Sequence, residues 1–249
     1  MAVQFLDWLA LPAGLRWLDV GCGTGALTAA IAHRCSPSQV LGVDPSAAYV
    51  AYAAEQVGGG PARFAVADAA HLPAGPFDAA VSGLVLNFVP DALAALAAMH
   101  EAAPDGTVAA YVWDYAGRME LMRFFWDAAV ALDPAARDLD EGVRFPICRP
   151  DRLETAWRDA GFVDVESRAI DVPTVFRHFD DYWQPFLGGQ APAPGYAMSL
   201  SEDRRAALRE RIRASLPIAG DRSISLIARA WAVRGRAPAW AMSPSPGSG

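Results

Sequence analysis

The stretch Trp17-Leu18-Asp19-Val20-Gly21-Cys22-Gly23-Thr24-Gly25-Ala26 restricts the fold more than any other part of the chain. An apolar run of strand length carries an acid, three glycines follow at alternate positions, and an alanine-rich helical run begins at once. Glycine removes the side chain where backbone must turn tightly or lie close against a ligand. In an open parallel sheet such a loop falls at the carboxyl ends of the strands, where ligands bind. Free N–H groups opening the next helix favour an anionic group, and a carboxylate or a phosphate would both suit.

The remaining sequence repeats this alternation. Strands are expected at 16–21, 39–44, 62–68, 77–86, 106–115, near 162–170 and at 223–233. Helices are expected at 25–34, 46–56, 92–103, 151–160 and 202–214. Short β-branched runs alternating with longer helical ones indicate an α/β chain with a mostly parallel sheet. Regularity lapses over 116–150, which holds a helix rich in Phe and Trp, and over 172–200. The tail 237–249, "APAWAMSPSPGSG", has linker composition and is expected to be loosely held.

Composition removes several functions. All 21 basic residues are arginine, and a chain without lysine cannot supply a Walker A lysine, a kinase ATP-binding lysine or an internal aldimine. The net charge of −7 argues against broad affinity for nucleic acid or anionic membranes. Residues 202–236 hold nine arginines against four acids, read as a solvated helix and an edge strand. Three cysteines without CxxC spacing fit a reduced, cytoplasmic chain with no metal site. No apolar run reaches 18 residues, and the opening "MAVQFLDWLALPAGL" is broken by Asp7 and lacks a basic start. Neither a membrane span nor a secretory signal is therefore expected.

The glycine spacing alone leaves the ligand open. Gly21-x-Gly23-x-x-Ala26 satisfies a permissive dinucleotide fingerprint. Asp19, two residues earlier, would disfavour a pyrophosphate but suit a ligand with a cationic amine. Gly25 adds a third spaced glycine, and Asp44 ends the second strand, where an acid can hold ribose hydroxyls in either reading.

Four motifs then occur in order: "LDVGCGTG", "VLGVDPS", "VADAAHLP" and "FDAAVSGLVLNFVPD". Over roughly residues 15–115 the chain resembles class I S-adenosylmethionine-dependent methyltransferases, most closely the small-molecule group of ubiquinone and menaquinone biosynthesis C-methyltransferases. The resemblance implies a Rossmann-like three-layer sandwich, a seven-stranded sheet with its last strand antiparallel, and helical lid insertions. It implies one domain over 1–236, with a cofactor half near 1–115, lid elements near 116–150 and 172–200, and a flexible tail at 237–249. Gly21, Cys22, Gly23, Thr24 and Gly25 would line the methionine and ribose portion, with Asp19 near the amino group. Asp44, followed by Pro45 and Ser46, would hold the ribose; Asp68 and Ala69 would read the adenine edge. Ser82, Gly83 and Leu84 would face the methionine end. Taken singly, Asp44 also reads as a turn former before Pro45, Asp68 as a cap, and Cys22 as packing.

The implied activity is methyl transfer from S-adenosylmethionine to a small, apolar or aromatic acceptor at oxygen or carbon. Such a transfer asks the protein mainly for alignment and water exclusion. Trp113, Tyr115, Phe125, Trp126 and Trp183 are candidate pocket walls, though aromatics here equally fill core. His178, beside Asp180 and Asp181, is the candidate general base, against the plainer reading of a surface or core-bonded histidine. No Asn/Asp-Pro-Pro-aromatic box follows the fourth strand, so a nucleic-acid acceptor is not expected. A monomer or homodimer is expected. Two alternatives stay open: an NAD(P)-dependent oxidoreductase on the same loop, and a module that binds the cofactor without transferring its methyl.

Overall fold

The computed structural model describes residues 1–188 and 191–238. In chain order the elements are α1 (Ala2–Leu9), β1 (Arg16–Val20), α2 (Ala26–Arg34), β2 (Gln39–Asp44), α3 (Ala47–Val57), β3 (Ala62–Val66) and β4 (Ala79–Gly83). They continue as α4 (Ala92–Ala102), β5 (Thr107–Trp113), α5 (Glu120–Leu132), α6 (Glu141–Arg144), α7 (Pro150–Asp159) and β6 (Val163–Phe176). The described part closes with α8 (Phe179–Trp183), α9 (Pro192–Ser199), α10 (Glu202–Ser215) and β7 (Ile224–Arg236).

The strands form one seven-stranded sheet in the order β3-β2-β1-β4-β5-β7-β6. β1 pairs in parallel with both β2 and β4, so the first glycine loop leaves the sheet where the strand order reverses. β1 is short and buried along nearly its whole length, as a central parallel strand should be. β7 runs against β5: Ala237 N–H donates to the Gly106 carbonyl, and Asp114 N–H donates to the Arg229 carbonyl. It also runs against β6, with ion pairs Arg229–Asp171, Arg234–Glu166 and Arg236–Asp164 as successive rungs. The expected antiparallel last strand is present.

Local chemistry sets the helix starts. Ser46 accepts from Tyr49 N–H, Asp91 from Ala94 N–H and Ser201 from Arg204 N–H, each closing the first turn of its helix. α2 starts otherwise: its N-cap is Gly25, which offers no side-chain acceptor, and α5 and α9 likewise begin without a side-chain cap.

Packing divides the chain into two compact units. One comprises, among the described residues, 2–111, 153–168 and 232–238. Phe5, Trp17, Leu18, Ile31 and Leu96 are fully buried within it, and α1, not anticipated as a helix, contributes Phe5 against the ring of Tyr111 at 4.8 Å. Trp157 of α7 is fully buried and donates its indole N–H to the Val108 carbonyl.

The other unit comprises residues 112–152 and 169–231. Its core is aromatic: Phe125 stacks on Phe186 at 4.5 Å, Trp126 meets Phe125 edge-on, and the Tyr182 hydroxyl donates to the Leu121 carbonyl. Leu208 and Ile212 of α10 complete the cluster. Each such side chain contributes about 1.5–3 kcal/mol through burial.

Two expectations are corrected here. The strand expected near 162–170 continues to Phe176, because its alternation of buried and exposed residues persists opposite β7. Of the tail expected to be loose, Ala237 is buried and bonded to Gly106, while Pro238 accepts from His100. Residues 239–249 of that tail, and 189–190 of the second irregular segment, lie outside the described residues.

Candidate functional site

The residues expected to hold a cofactor, from Asp19 to Leu84, all fall in the unit formed by 2–111, 153–168 and 232–238. Gly21, Gly23 and Gly25 have φ of 74°, 52° and 88°, the left-handed region that favours glycine. The three spaces they leave differ. A Cβ on Gly21 would lie 2.6 Å from both methyls of Val85, and one on Gly25 would press on Val57 and Ala53. A Cβ on Gly23 would meet no atom within 4 Å. Gly21 and Gly25 therefore let the loop pack, whereas Gly23 keeps an open face bare.

The loop is tied down by β2. Gly21 and Cys22 N–H both donate to the Val43 carbonyl, and Gly23 N–H donates to Asp44 Oδ2 at 3.0 Å. Asp44 Oδ1 accepts from Ser46 N–H at 2.8 Å, so this largely buried carboxylate joins the glycine loop to the start of α3. Asp44 thus forms the turn before Pro45, the plainer of its two readings, and stands beside the glycine loop. Thr24 and Pro45 are exposed and Ser46 half-buried. Cys22 is buried, and burial pushes its thiol up to about 12, which suits packing rather than nucleophilic chemistry.

Asp19 is the outlier. It is 1% exposed; Oδ2 accepts from the Thr28 hydroxyl at 2.6 Å, and Oδ1 has no hydrogen-bond partner among the described residues. Burial pushes its carboxyl up to about 6, opposed by the Thr28 hydrogen bonds and reinforced by the charge of Asp44. The folded chain therefore holds this proton to a higher pH than the unfolded one. Its contribution to stability is fully present below about pH 4 and is lost as pH rises through 6, about 3 kcal/mol in all. Urea titrations of ligand-free protein at pH 4.5 and 7 should show this loss, and Asp19→Asn should flatten it. Equal pH slopes in the two proteins would refute the assignment.

Asp68 is exposed and occupied locally. Its Oδ1 accepts from Ala70 and His71 N–H, and the His71 ring lies 2.9 Å away, so hydrogen bonds hold its carboxyl below the usual range. It acts as a cap of the Ala69-Ala70 turn, with its position at the end of β3 unchanged. Ser82 is buried and donates to the Val20 carbonyl, fastening β4 to β1. A side chain on Gly83 would collide with the Tyr111 hydroxyl, and Leu84 takes a left-handed φ of 62° while its N–H donates to the Tyr111 carbonyl. A non-glycine residue held there marks a strained segment of the kind that clusters at binding sites.

Four contributors escaped sequence reasoning. Thr28 holds Asp19 from the next helix, and Val85 fills the space of Gly21. Gly42 admits the ring of Phe64 and the Thr28 hydroxyl; an isolated glycine inside a strand was the available signal. Asn87 is buried with Nδ2 unpartnered among the described residues, a state that no sequence pattern announces.

The remaining candidates belong to the unit of 112–152 and 169–231, and several expectations are corrected there. Phe125 and Trp126 are 0% exposed and Trp183 is 5% exposed, all within the aromatic core, so they do not form a cavity wall. The Trp126 indole N–H donates to the buried Glu141 carboxylate. Trp113 and Tyr115 are half-buried. His178 is the N-cap of α8: its Nδ1 accepts from Asp181 N–H, and its ring stands 3.9 Å from the Asp181 carboxylate. His178 thus serves as a helix cap through Nδ1, a structural use of the ring.

Comparison with known proteins fits the first unit. A family profile described as a methyltransferase domain matches residues 18–106. A trans-aconitate 2-methyltransferase of Streptomyces avermitilis is 41% identical over 100 residues, covering 38% of this chain and 37% of its own length. The chain thus spans little more than a third of that relative. Among solved structures, Haemonchus contortus phosphoethanolamine N-methyltransferase 2, in complex with S-adenosylhomocysteine, aligns at a TM-score of 0.59 and 18% identity over 95% of this chain and 52% of that one. The [4+2]-cyclase SpnF aligns at 0.58 and 20% identity over 96% and 80%. Likeness at those identities concerns the fold. No helix among the described residues is long and apolar enough to cross a membrane. Residues 18–106 thus match a methyltransferase domain in sequence, and over nearly its whole length the chain has the fold of these solved methyltransferase structures.

Proposed function

We propose that this chain transfers the methyl group of S-adenosylmethionine to a small-molecule acceptor. One observation carries the reading: a buried carboxylate, Asp19, keeps an unpartnered oxygen two residues before a left-handed glycine turn. An unpaired buried carboxylate oxygen is costly unless a cation or donor meets it. A dinucleotide pyrophosphate would add negative charge beside it, whereas the α-ammonium of S-adenosylmethionine would satisfy it.

The residues present fit that group. Asp19 would take the ammonium, the bare face of Gly23 would lie along the ligand, and Asp44 would accept from the ribose hydroxyls with its remaining lone pairs. Asp68 and Ala69 at the end of β3, and Ser82, Gly83 and Leu84 after β4, would bound the adenine and methionine ends respectively. When bound, the positively charged sulfonium would supply an activated methyl group whose leaving group is a neutral thioether, needing no further activation by the protein. The protein's own share is alignment and exclusion of water, on the order of 7–11 kcal/mol in favourable cases. With His178 committed as a cap, no base is assigned, and an acceptor that is already anionic needs none. Three unpaired cysteines suit a reducing, cytoplasmic setting.

Thermal shift tests the reading. S-adenosylhomocysteine should raise the Tm and NADH or NADPH should not; at 100 times Kd the stabilisation is about 2.7 kcal/mol. Stabilisation by a nicotinamide dinucleotide alone would overturn it. Binding of S-adenosylhomocysteine without its release from any acceptor would favour the non-transferring module.

A further inference from the structure

The segment after β4 holds a second buried polar group without a partner. Asn87 is 9% exposed, and its Nδ2 has no hydrogen-bond partner among the described residues. The turn that carries it is fixed: Phe88 N–H donates to the Val85 carbonyl and Val89 N–H to the Leu86 carbonyl. A buried donor left unmet forfeits more than an ordinary hydrogen bond returns, so this amide calls for an acceptor.

Two contacts set this turn beside the glycine loop. The Ser82 hydroxyl donates to the Val20 carbonyl, joining the end of β4 to the end of β1, and Val85 fills the space that Gly21 leaves. Asp19 is level with Val81 in the parallel register of those two strands. Two unpaired buried atoms therefore belong to neighbouring strand ends of one unit: an acceptor, Asp19 Oδ1, and a neutral donor, Asn87 Nδ2. The three arginines between residues 2 and 111 are engaged elsewhere. Arg16 pairs with Asp78, Arg34 with Asp7, and Arg63 donates to the Gly60 and Ala62 carbonyls. The chain has no lysine. Within that stretch, an anionic group beside the glycine loop is left to neutral donors.

We propose that the Asn87 amide donates to the carboxylate of the cofactor's amino-acid end while Asp19 takes its ammonium. Those two groups sit on one carbon and carry opposite charges, so they match one open donor and one open acceptor. The inference rests on the methyl-transfer reading above and deepens it, naming the residue that makes the site select an intact amino-acid end. A neutral amide suits this position, because a cationic side chain there would repel the ammonium held by Asp19. A hydrogen bond to an ionised acceptor is also stronger than one between neutral groups.

Calorimetric titration of the full chain with three compounds tests this. They are S-adenosylhomocysteine, its decarboxylated analogue, which keeps the amine, and 5′-methylthioadenosine, which lacks the amino-acid end altogether. Asn87→Leu should weaken S-adenosylhomocysteine by about tenfold or more and leave the other two within about twofold. Asn87→Asp, nearly isosteric, should weaken S-adenosylhomocysteine at least as much and bind the decarboxylated analogue no worse than the unsubstituted chain does. Since the leucine removes a donor that nothing in the fold uses, the ligand-free Tm should not fall. If the leucine variant does not fold, the same comparison made with Asn87→Asp decides. Equal weakening of S-adenosylhomocysteine and its decarboxylated analogue assigns Asn87 to the fold and overturns the inference. No weakening of either compound overturns it too, while leaving the methyl-transfer reading intact. Failure of the unsubstituted chain to bind S-adenosylhomocysteine removes that reading, and this inference with it.

Discussion

A Gly21→Ala chain is expected to lose about 2–4 kcal/mol of stability, combining the left-handed backbone penalty with overpacking against a neighbour that cannot yield. The new methyl would sit 2.6 Å from both Val85 methyls at a φ of 74°, and a β-branched valine has little rotamer freedom with which to move aside. For a chain of this size the loss corresponds to a Tm lowered by roughly 10 °C. Gly23→Ala supplies the contrast. Its methyl meets no protein atom, so only the backbone cost of about 1–2 kcal/mol applies to the fold. Affinity for S-adenosylhomocysteine should nonetheless fall, because the methyl covers the face proposed for the ligand. Differential scanning calorimetry and calorimetric titration of the two variants separate packing glycines from a ligand-facing one. Equal stabilities would contradict the assignment.

The second large effect concerns Asp44. Its two oxygens hold Gly23 and Ser46 N–H, and Asp44→Ala removes both acceptors at once. Hydrogen bonds to a charged group contribute about 1.5–3 kcal/mol each, so the loop would lose its anchor to β2 along with the proposed ribose contact. S-adenosylhomocysteine affinity should drop about 100-fold, equivalent to roughly 2.7 kcal/mol. Asp44→Asn keeps one acceptor and should fall between alanine and wild type. A variant with alanine that binds within threefold of wild type would refute the role.

The strands and glycine loop of the first half were readable from the chain because their signals are local. A strand followed by spaced glycines needs no knowledge of distant neighbours to be recognised, and the acids at positions 19, 44 and 68 lie at or near the ends of successive strands. The later half was less readable for a definite reason. An aromatic-rich segment reads the same whether its rings face a ligand or each other, and Phe125, Trp126 and Trp183 turned out to face each other. His178 shows a similar ambiguity: a histidine beside two aspartates resembles a base, yet the backbone turns so that Asp181 N–H reaches its ring. The open amide of Asn87 could not be read at all, since only folding settles whether a buried side chain meets a partner.

By itself, then, the sequence determined the alternating architecture, the place of the glycine loop after the first strand, and the exclusion of lysine chemistry, because these follow from periodicity, glycine spacing and composition. Only the tertiary structure decided which oxygen of Asp19 stays unpaired, which glycine faces a neighbour and which faces open space, and which buried amide lacks a partner. Those outcomes depend on contacts between residues far apart in the chain, and pairing or burial of a polar group is a property of such contacts rather than of the residue itself.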